Sequence, residues 1–368
     1  MIAIFIILLS LFSLYSYALI DPNITLISHP IWTNFRNVMV QLGYHQRYNS
    51  ALYFTLLVAA LGVFNYFATK EYKRINVLKL ALGAALVSLI SYPFLSHDFF
   101  NYLFDAKILT FYHQNPYLHK AIDFPTDPWL RFMHWTIRVY PYGPTFLPIT
   151  LVPSFLAFGK FILNMWFFKS MFAAFYFLAV YFLNKVDKKV AVFFATQPLI
   201  IVEGLINSHN DLIAVSLGVI GVYYFLENIS KKSALMFALS AGIKYLTAPL
   251  LLLALPIKSK HFRERNMLIS FISTLLLILY ISYTSEIQPW YFLNLLIFLP
   301  FYKDLLMNFS LFFTGLVFAY YPFVRYGDWT AQTISQKHDI IWIFFIVNLV
   351  YFLFKKRRKI TYGNSRFS

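Results

Sequence analysis

In the segment SHDFFNYLFDAKILTFYHQNPY, residues 96–117, Asp98, Asn101 and Asp105 stand at i, i+3 and i+7. In a helix that spacing puts both carboxylates on one face. The other side carries Phe99, Tyr102, Leu103, Phe104 and Ile108, so the segment reads as an amphipathic helix lying at a membrane interface. A carboxylate held against apolar surface has a raised pKa and can act as a general base. Asp98 is the first candidate for that role and Asp105 the second. His97 and Asn115, with Lys107, His113 and Gln114, add polar groups within the same twenty residues.

Three more stretches carry chemistry. In Glu203–Leu226 (EGLINSHNDLIAVSLGVIGVYYFL), Asn207 or Ser208 can cap a helix starting near His209. His209, Asn210 and Asp211 then occupy its first turn, where partial positive charge and free N–H groups favour an anion such as phosphate. Lys244 lies in LSAGIKYLTAPLLL with apolar chain on either side. At a bilayer centre it costs about 2.5–3.5 kcal/mol, so it should face a cavity or a carboxylate, from which it can bind phosphate as a point charge. The segment SEIQPWYFLNLL brings Gln288, Trp290 and Tyr291 back into the membrane. Between these stretches, RVYPYGPTFLPITLVP marks a rigid turn at Tyr140, Tyr142 and Gly143. Arg138 beside it is a further phosphate candidate, while Arg131 and Arg325 read as loop charges. Each group has a plainer reading as well: a helix end, a dipole complement, a snorkelling lysine or an interfacial anchor.

The elements that must position these residues are membrane helices. Of the 368 residues 60% are hydrophobic and 12% charged, with 42 Phe and 27 Tyr. A soluble domain carries about 25% charged residues. Leu/Phe/Ile-rich runs long enough to span recur along the chain, giving an all-α polytopic membrane protein of about ten to twelve membrane segments. The runs are continuous rather than alternating, which excludes a β-barrel. No cysteine is present, so disulfides and thiolate metal sites are excluded. The net charge of +16 comes from clusters between apolar runs and reports topology, not nucleic-acid binding. Clusters 70–74, 184–189, 231–232, 258–265 and 355–359 go to the cytoplasm. Segments 21–50, 96–140, 203–211, 284–290 and 324–339 then fall outside. Residues 141–160 and 233–256 fit only as half-depth or broken helices, tolerated where they line a cavity. The expected organisation is one membrane domain, 1–354, with an external loop at 96–140 and a short basic cytoplasmic tail, 355–368. Residues 1–20, with no charged leader, read as a retained first helix. No nucleotide-loop, GxGxxG, HExxH or membrane-compatible GxSxG motif occurs.

The order of these motifs resembles the GT-C superfamily of membrane glycosyltransferases. More narrowly it is similar to the bacterial polyprenyl-phosphate-sugar-dependent transferases, many of them mannosyltransferases. The features are SHDFFNYLFDAK, His113–Tyr117 (HQNPY), Tyr140–Pro144 (YPYGP), Ser208–Asp211 (SHND, with Ser where Gly is common), 242–256 and Gln288–Tyr291 (QPWY). The resemblance spans about residues 77–302. It implies a GT-C-like fold, an active site facing outside a prokaryotic cytoplasmic membrane, and inverting transfer of mannose or another sugar. The donor is a polyprenyl-phosphate sugar, and the acceptor a glycan, lipid or protein. Lys244, His209, Asn210 and Arg138 are then the donor-phosphate ligands. His97, Asn115, Tyr117, Tyr142, Glu203, Asp211, Gln288, Trp290 and Tyr291 are substrate-binding residues. No cofactor is required, because a lipid phosphate is already a leaving group; Asp98, Asp105 and Asp211 are the carboxylates that could hold a divalent metal. The alternative is a transporter or flippase of a lipid-linked or anionic substrate, which also uses broken helices and buried charges. The enzyme reading requires Asp98, His209, Asp211 and Lys244 to converge on one cavity.

Overall fold

The computed structural model describes residues 1–255 and 259–364, with side chains through Lys355. Pro256, Lys258 and most of the 355–368 tail therefore lie outside the described side chains. Among the described residues every regular element is helical. In chain order these are α1 (Ile2–Tyr15), α2 (Pro30–Val40), α3 (Arg47–Lys70), α4 (Val77–Ser88) and α5 (Asp98–Thr110). They continue as α6 (Phe146–Leu156), α7 (Phe161–Val186), α8 (Lys188–Thr196), α9 (Asp211–Leu226) and α10 (Ser230–Ala241). The last are α11 (Lys260–Thr284), α12 (Leu299–Asn308), α13 (Ser310–Phe318), α14 (Tyr321–Tyr326) and α15 (Ala331–Asn364).

Among the described residues, six helical stretches are long and apolar enough to cross a membrane: Ile2–Leu19, Arg47–Lys70, Phe161–Val186, Lys260–Thr284, Pro289–Asn308 and Ala331–Lys355. At about 1.5 Å per residue they span or exceed the ~30 Å hydrocarbon core. A seventh is α8 with the π-helical Ile200–Ile206, bent by 67°. Four shorter apolar helices reach only part way: α4, α6, α9 and the 3-10 segment Tyr245–Ala254. Counted with these, the passes fall within the expected ten to twelve.

Both stretches expected to be broken are broken. The first yields the eleven-residue α6 after a turn at Gly143. The second splits at Gly242–Lys244 into α10 and the 3-10 segment. The two breaks hold each other. Thr145 N–H donates to the Gly242 carbonyl at 3.0 Å, and a Cβ on Gly143 would stand 2.1 Å from that same oxygen. Glycine is required here by close backbone approach.

The apolar run at residues 77–95 is helical only as far as Ser88, and two sequence expectations beyond it are corrected. The hydroxyls of Ser88 and Ser91 bond back to the Ala85 and Ser88 carbonyls, competing with helix continuation. The helix of Asp98–Thr110 does not present an exposed polar face, since every residue from Phe99 to Ile108 is buried. The reason is a folded cover. Loop 111–145 wraps it, pinned by the buried Lys107–Asp127 ion pair, with Lys107 Nζ 3.8 Å from the Trp129 ring centre and Tyr112 Oη bonded to Asp127 at 2.7 Å. Finally, α9 starts at Asp211 rather than His209. Ser208 sits at φ 57°, a left-handed conformation that stops the preceding π-helix and that glycine adopts without strain.

The basic clusters gather at the end away from the external-loop segments. Lys188 Nζ reaches the Lys73 carbonyl at 3.0 Å, Lys303 pairs with Asp187 at 2.7 Å, and Lys355 donates to Asn308 at 2.8 Å. The segments expected outside meet at the opposite end, around one cavity.

Candidate active site

A cavity of about 750 Å³ opens between the N-terminus of α5, the end of loop 111–145, the Gly242–Lys244 break, the 285–291 segment and the start of α15. Its size suits a glycosyl phosphate or a short oligosaccharide. Asp98, at the first position of α5, presents its carboxylate on the wall, 23% exposed. Arg138 Nη2 stands 3.7 Å from Asp98 Oδ1, and His209 Nδ1 3.8 Å from Oδ2. Lys244 lines the facing wall at the chain break. Of the four residues expected to converge, Asp98 and Lys244 line this cavity, while His209 and Asp211 reach it only from behind those two.

Behind the wall is a buried polar layer. His209 stacks on the Trp290 indole at 4.1 Å, and its Nε2 lies 3.3 Å from Glu203 Oε2. Asn207 Nδ2 donates to the same Glu203 oxygen at 3.1 Å, while its own amide oxygen accepts the Leu95 N–H at 3.3 Å. This ties the π-helical segment to the chain entering α5. Asp211 accepts from Asn294 Nδ2 at 2.8 Å and pairs with Lys244 Nζ at 2.9 Å. The buried carboxylate thereby holds the partly exposed ammonium at the cavity wall.

His97, Tyr142, Gln288, Trp290 and Tyr291 line the cavity as expected. Arg138 also donates to Tyr142 Oη at 3.1 Å. Glu203, His209, Asn210 and Asp211 do not line it; they form the layer behind. His209 and Asn210 are thus corrected from phosphate ligands to supports. The α9 N-terminus is not open to an anion, because the Asn210 N–H points to Tyr102 Oη at 3.4 Å. Asn115 and Tyr117 also lie off the cavity. Asn115 Oδ1 accepts the Tyr117 N–H at 2.9 Å, an Asx turn, and Tyr117 stacks edge-on against Tyr140 at 5.1 Å. The turn also accepts the Tyr140 N–H at the Pro116 carbonyl. These residues shape the strand-like entry to Tyr142 rather than touch a ligand.

Asp105 is likewise absent from the cavity wall. Two helical turns beyond Asp98, it is buried, and burial pushes its carboxyl up to about 8 against the opposing pull of Arg138; Asp98 adds to the rise. Asp98, Asp105 and Asp211 do not come together with metal-ligand spacing. Burial also lowers the His97 imidazole to about 4, helped by His134, whose ring stacks on it at 3.5 Å.

Several lining residues escaped the sequence reading. Lys337 on α15 is 3.2 Å from Glu286 Oε1, and His338 bonds the same oxygen at 2.8 Å. Burial pushes the Glu286 carboxyl up, but the bonds from His338 and Lys337 outweigh it and hold it below the usual range. His134, Trp135, Tyr320 and Trp329 complete that side. Lys337 and His338 stand nearly two turns into α15, just before its apolar run begins at Ile340, and that position was the available signal. Lys169, buried in α7, was also missed. It donates to Ser91 Oγ and the Leu205 carbonyl at 3.0 Å, and to the Ile206 carbonyl, closing the end of the π-helix. Arg131 and Arg325 stay outside the cavity.

A second cavity, an apolar groove of about 690 Å³, runs between α11 and α15, lined by Leu275, Leu279, Tyr283, Ile341, Trp342 and Phe345 among others. It adjoins the first across the Glu286 ion pairs. Lys337 faces the polar cavity and His338 the groove.

No curated protein and no solved structure matches the chain. A family model does, over residues 30–258, more than half the chain and including Asp98, Arg138, Glu203, His209, Asp211 and Lys244. With its membrane-spanning helices and this convergent polar cavity, the chain belongs to the family described as alpha-(1->6)-mannopyranosyltransferase, N-terminal domain, one of the GT-C-like membrane mannosyltransferases.

Proposed function

We propose that this glycosyltransferase moves a hexose, with mannose the first candidate, from a polyprenyl-phosphate donor to an extracytoplasmic glycan, lipid or protein acceptor, with inversion. The observation that carries this reading is the pairing of a polar cavity holding Asp98 opposite Lys244 with an apolar groove that adjoins it between α11 and α15. A donor with an apolar tail and a charged head needs both. The sugar phosphate occupies the polar cavity and the first isoprenes lie in the groove.

The acceptor hydroxyl oxygen attacks the anomeric carbon from the face opposite the phosphate. The new C–O bond forms as the bond to the phosphate oxygen breaks, and the electron pair leaves with the lipid phosphate. Asp98 takes the hydroxyl proton, a role worth about 10²–10⁴-fold. The leaving phosphate gains negative charge as the bond breaks, and Lys244 and Arg138 stabilise that charge. Glu203 and Asp211 act one layer back. Glu203 orients His209 against Asp98, and Asp211 holds Lys244 in place. Trp290 and Tyr291 give the sugar an apolar floor.

The basic clusters at the far end support a cytoplasmic assignment for that end and for the C-terminus, leaving the cavity outside a prokaryotic plasma membrane. Residues 1–354 then form one domain. The test is transfer from radiolabelled polyprenyl-phosphate mannose in proteoliposomes, with acceptor glycans drawn from the host envelope. Asp98→Asn is expected to lower turnover at least about a hundredfold while leaving the elution profile in detergent unchanged. Full activity in that variant would remove Asp98 from the mechanism. An anomeric configuration in the product identical to that of the donor would overturn inversion. Transport of the intact donor without transfer would support the flippase reading instead.

A further inference from the structure

Beside the catalytic cavity, three side chains from distant parts of the chain converge. His97 immediately precedes α5, His134 lies in the loop that covers it, and Asp21 follows the first membrane helix. Their ligand atoms, one from each residue, all lie within 4.8 Å of one another, and no other such group occurs among the described residues. Both histidines line the cavity. We propose that Asp21, His97 and His134 form a binding site for one divalent transition-metal cation, with Zn²⁺ the best match.

The donor set is two imidazole nitrogens and one carboxylate oxygen. That composition suits zinc and its neighbours and is a poor cage for Mg²⁺ or Ca²⁺, which take oxygen ligands. At bond lengths of about 2.1 Å, tetrahedral ligands stand roughly 3.4 Å apart. From separations of up to 4.8 Å the group therefore needs to contract by about 1.4 Å at most, within the reach of side-chain rotation. The imidazole rings lie parallel at 3.5 Å, so their in-plane lone pairs meet at one metal only when one ring turns out of the stack, a rotation open to the exposed His134. Asp21 is prearranged too. Its Oδ1 accepts the Asn23 N–H at 2.7 Å, and its own N–H donates to Tyr92 Oη at 3.1 Å. Three protein ligands leave a fourth position for water or a ligand oxygen, as in open zinc sites.

The consequence for the molecule is mechanical and electrostatic. A bound cation would tie the end of the first membrane helix to the start of α5 and to the loop covering it. It would also add two positive charges next to Asp98. Asp21 lies outside residues 30–258, the part matched by the family model, so the site is completed by a segment of the chain beyond that match. The proposal stands apart from the transfer reaction and can fail without affecting it.

The test uses the full-length chain in detergent, stripped with chelator and then dialysed against Zn²⁺ or Co²⁺. The wild type should retain one equivalent of zinc, and cobalt should give ligand-field absorption in the visible range. Asp21→Asn and His134→Ala should each weaken zinc retention by at least about tenfold, and the cobalt spectrum should disappear in His134→Ala. His134 is exposed, so its removal should leave the fold intact, checked by the elution profile. Zinc retention by a His97→Ala/His134→Ala double variant equal to that of the wild type would overturn the site. So would the absence of any zinc retained by the wild type.

Discussion

At the residue scale the deciding contrast is between Asp98 and Asp105. They share a helix face, yet only Asp98 reaches the cavity. Asp105 is a buried carboxyl whose proton stays on up to about pH 8, while in the unfolded chain it leaves near 3.8. Between those values the folded state binds the extra proton, so this group's effect on stability worsens as pH rises from about 4 to 8 and is absent below about 4. Asp105→Asn should flatten that decline, read as the thermal midpoint in detergent across this pH window. An unchanged slope would show that Asp105 is not held neutral. Arg138 opposes the shift and Asp98 reinforces it, so those two residues must be left intact in the comparison. The Lys244–Asp211 pair makes a second residue-scale prediction. Lys244→Ala would leave a fully buried carboxylate without its cation, a change that costs about 3–5 kcal/mol in buried pairs. Asp211→Asn in the same chain should recover most of the lost stability but not the activity, because the ammonium proposed to meet the phosphate is still missing.

At the element scale the cavity depends on interruptions in helices. The π-helix Ile200–Ile206, the left-handed Ser208 and the Gly242–Lys244 break each end a regular run where a polar side chain must turn toward the site. Lys169 closes the first of them by taking up its last carbonyls. The Gly143–Gly242 contact couples the second pair of breaks. Gly143→Ala places a Cβ 2.1 Å from a backbone oxygen, which cannot be relieved by a rotamer change. The expected result is a thermal midpoint lower by several degrees, with transfer activity reduced in parallel, because the Tyr142 and Lys244 walls must separate. A midpoint equal to wild type would mean that the two breaks move independently.

On the scale of the whole molecule, the proposed donor would be divided between two environments, its head in the polar cavity and its tail in the apolar groove. Leu279 lines the groove and takes no part in the polar cavity. Leu279→Trp should raise KM for a long-chain polyprenyl donor several-fold and leave it unchanged for a donor with a short, soluble chain. Equal effects on both donors would place the lipid elsewhere. The same division fits the charge layout, with basic clusters at one end and the site at the other.

The sequence by itself determined the class of the molecule and most of the site's cast. Continuous apolar runs demand membrane helices, and a charge left inside one demands a partner, so Lys244 was legible from cost, Asp98 from its helical spacing and Asp211 from its place at a helix start. The two broken segments followed from length and proline content. The tertiary structure decided depth. Whether a polar residue touches the cavity or supports one that does depends on a few ångströms across helices that are distant in sequence, and no local pattern carries that information. Thus His209 and Asn210 stand behind the wall, Asn115 and Tyr117 fold a turn, and Asp105 is sealed under a loop whose covering role comes from the long-range Lys107–Asp127 pair. The meeting of Asp21, His97 and His134 was invisible for the same reason, because it rests on how the first membrane helix packs beside the loop that covers α5.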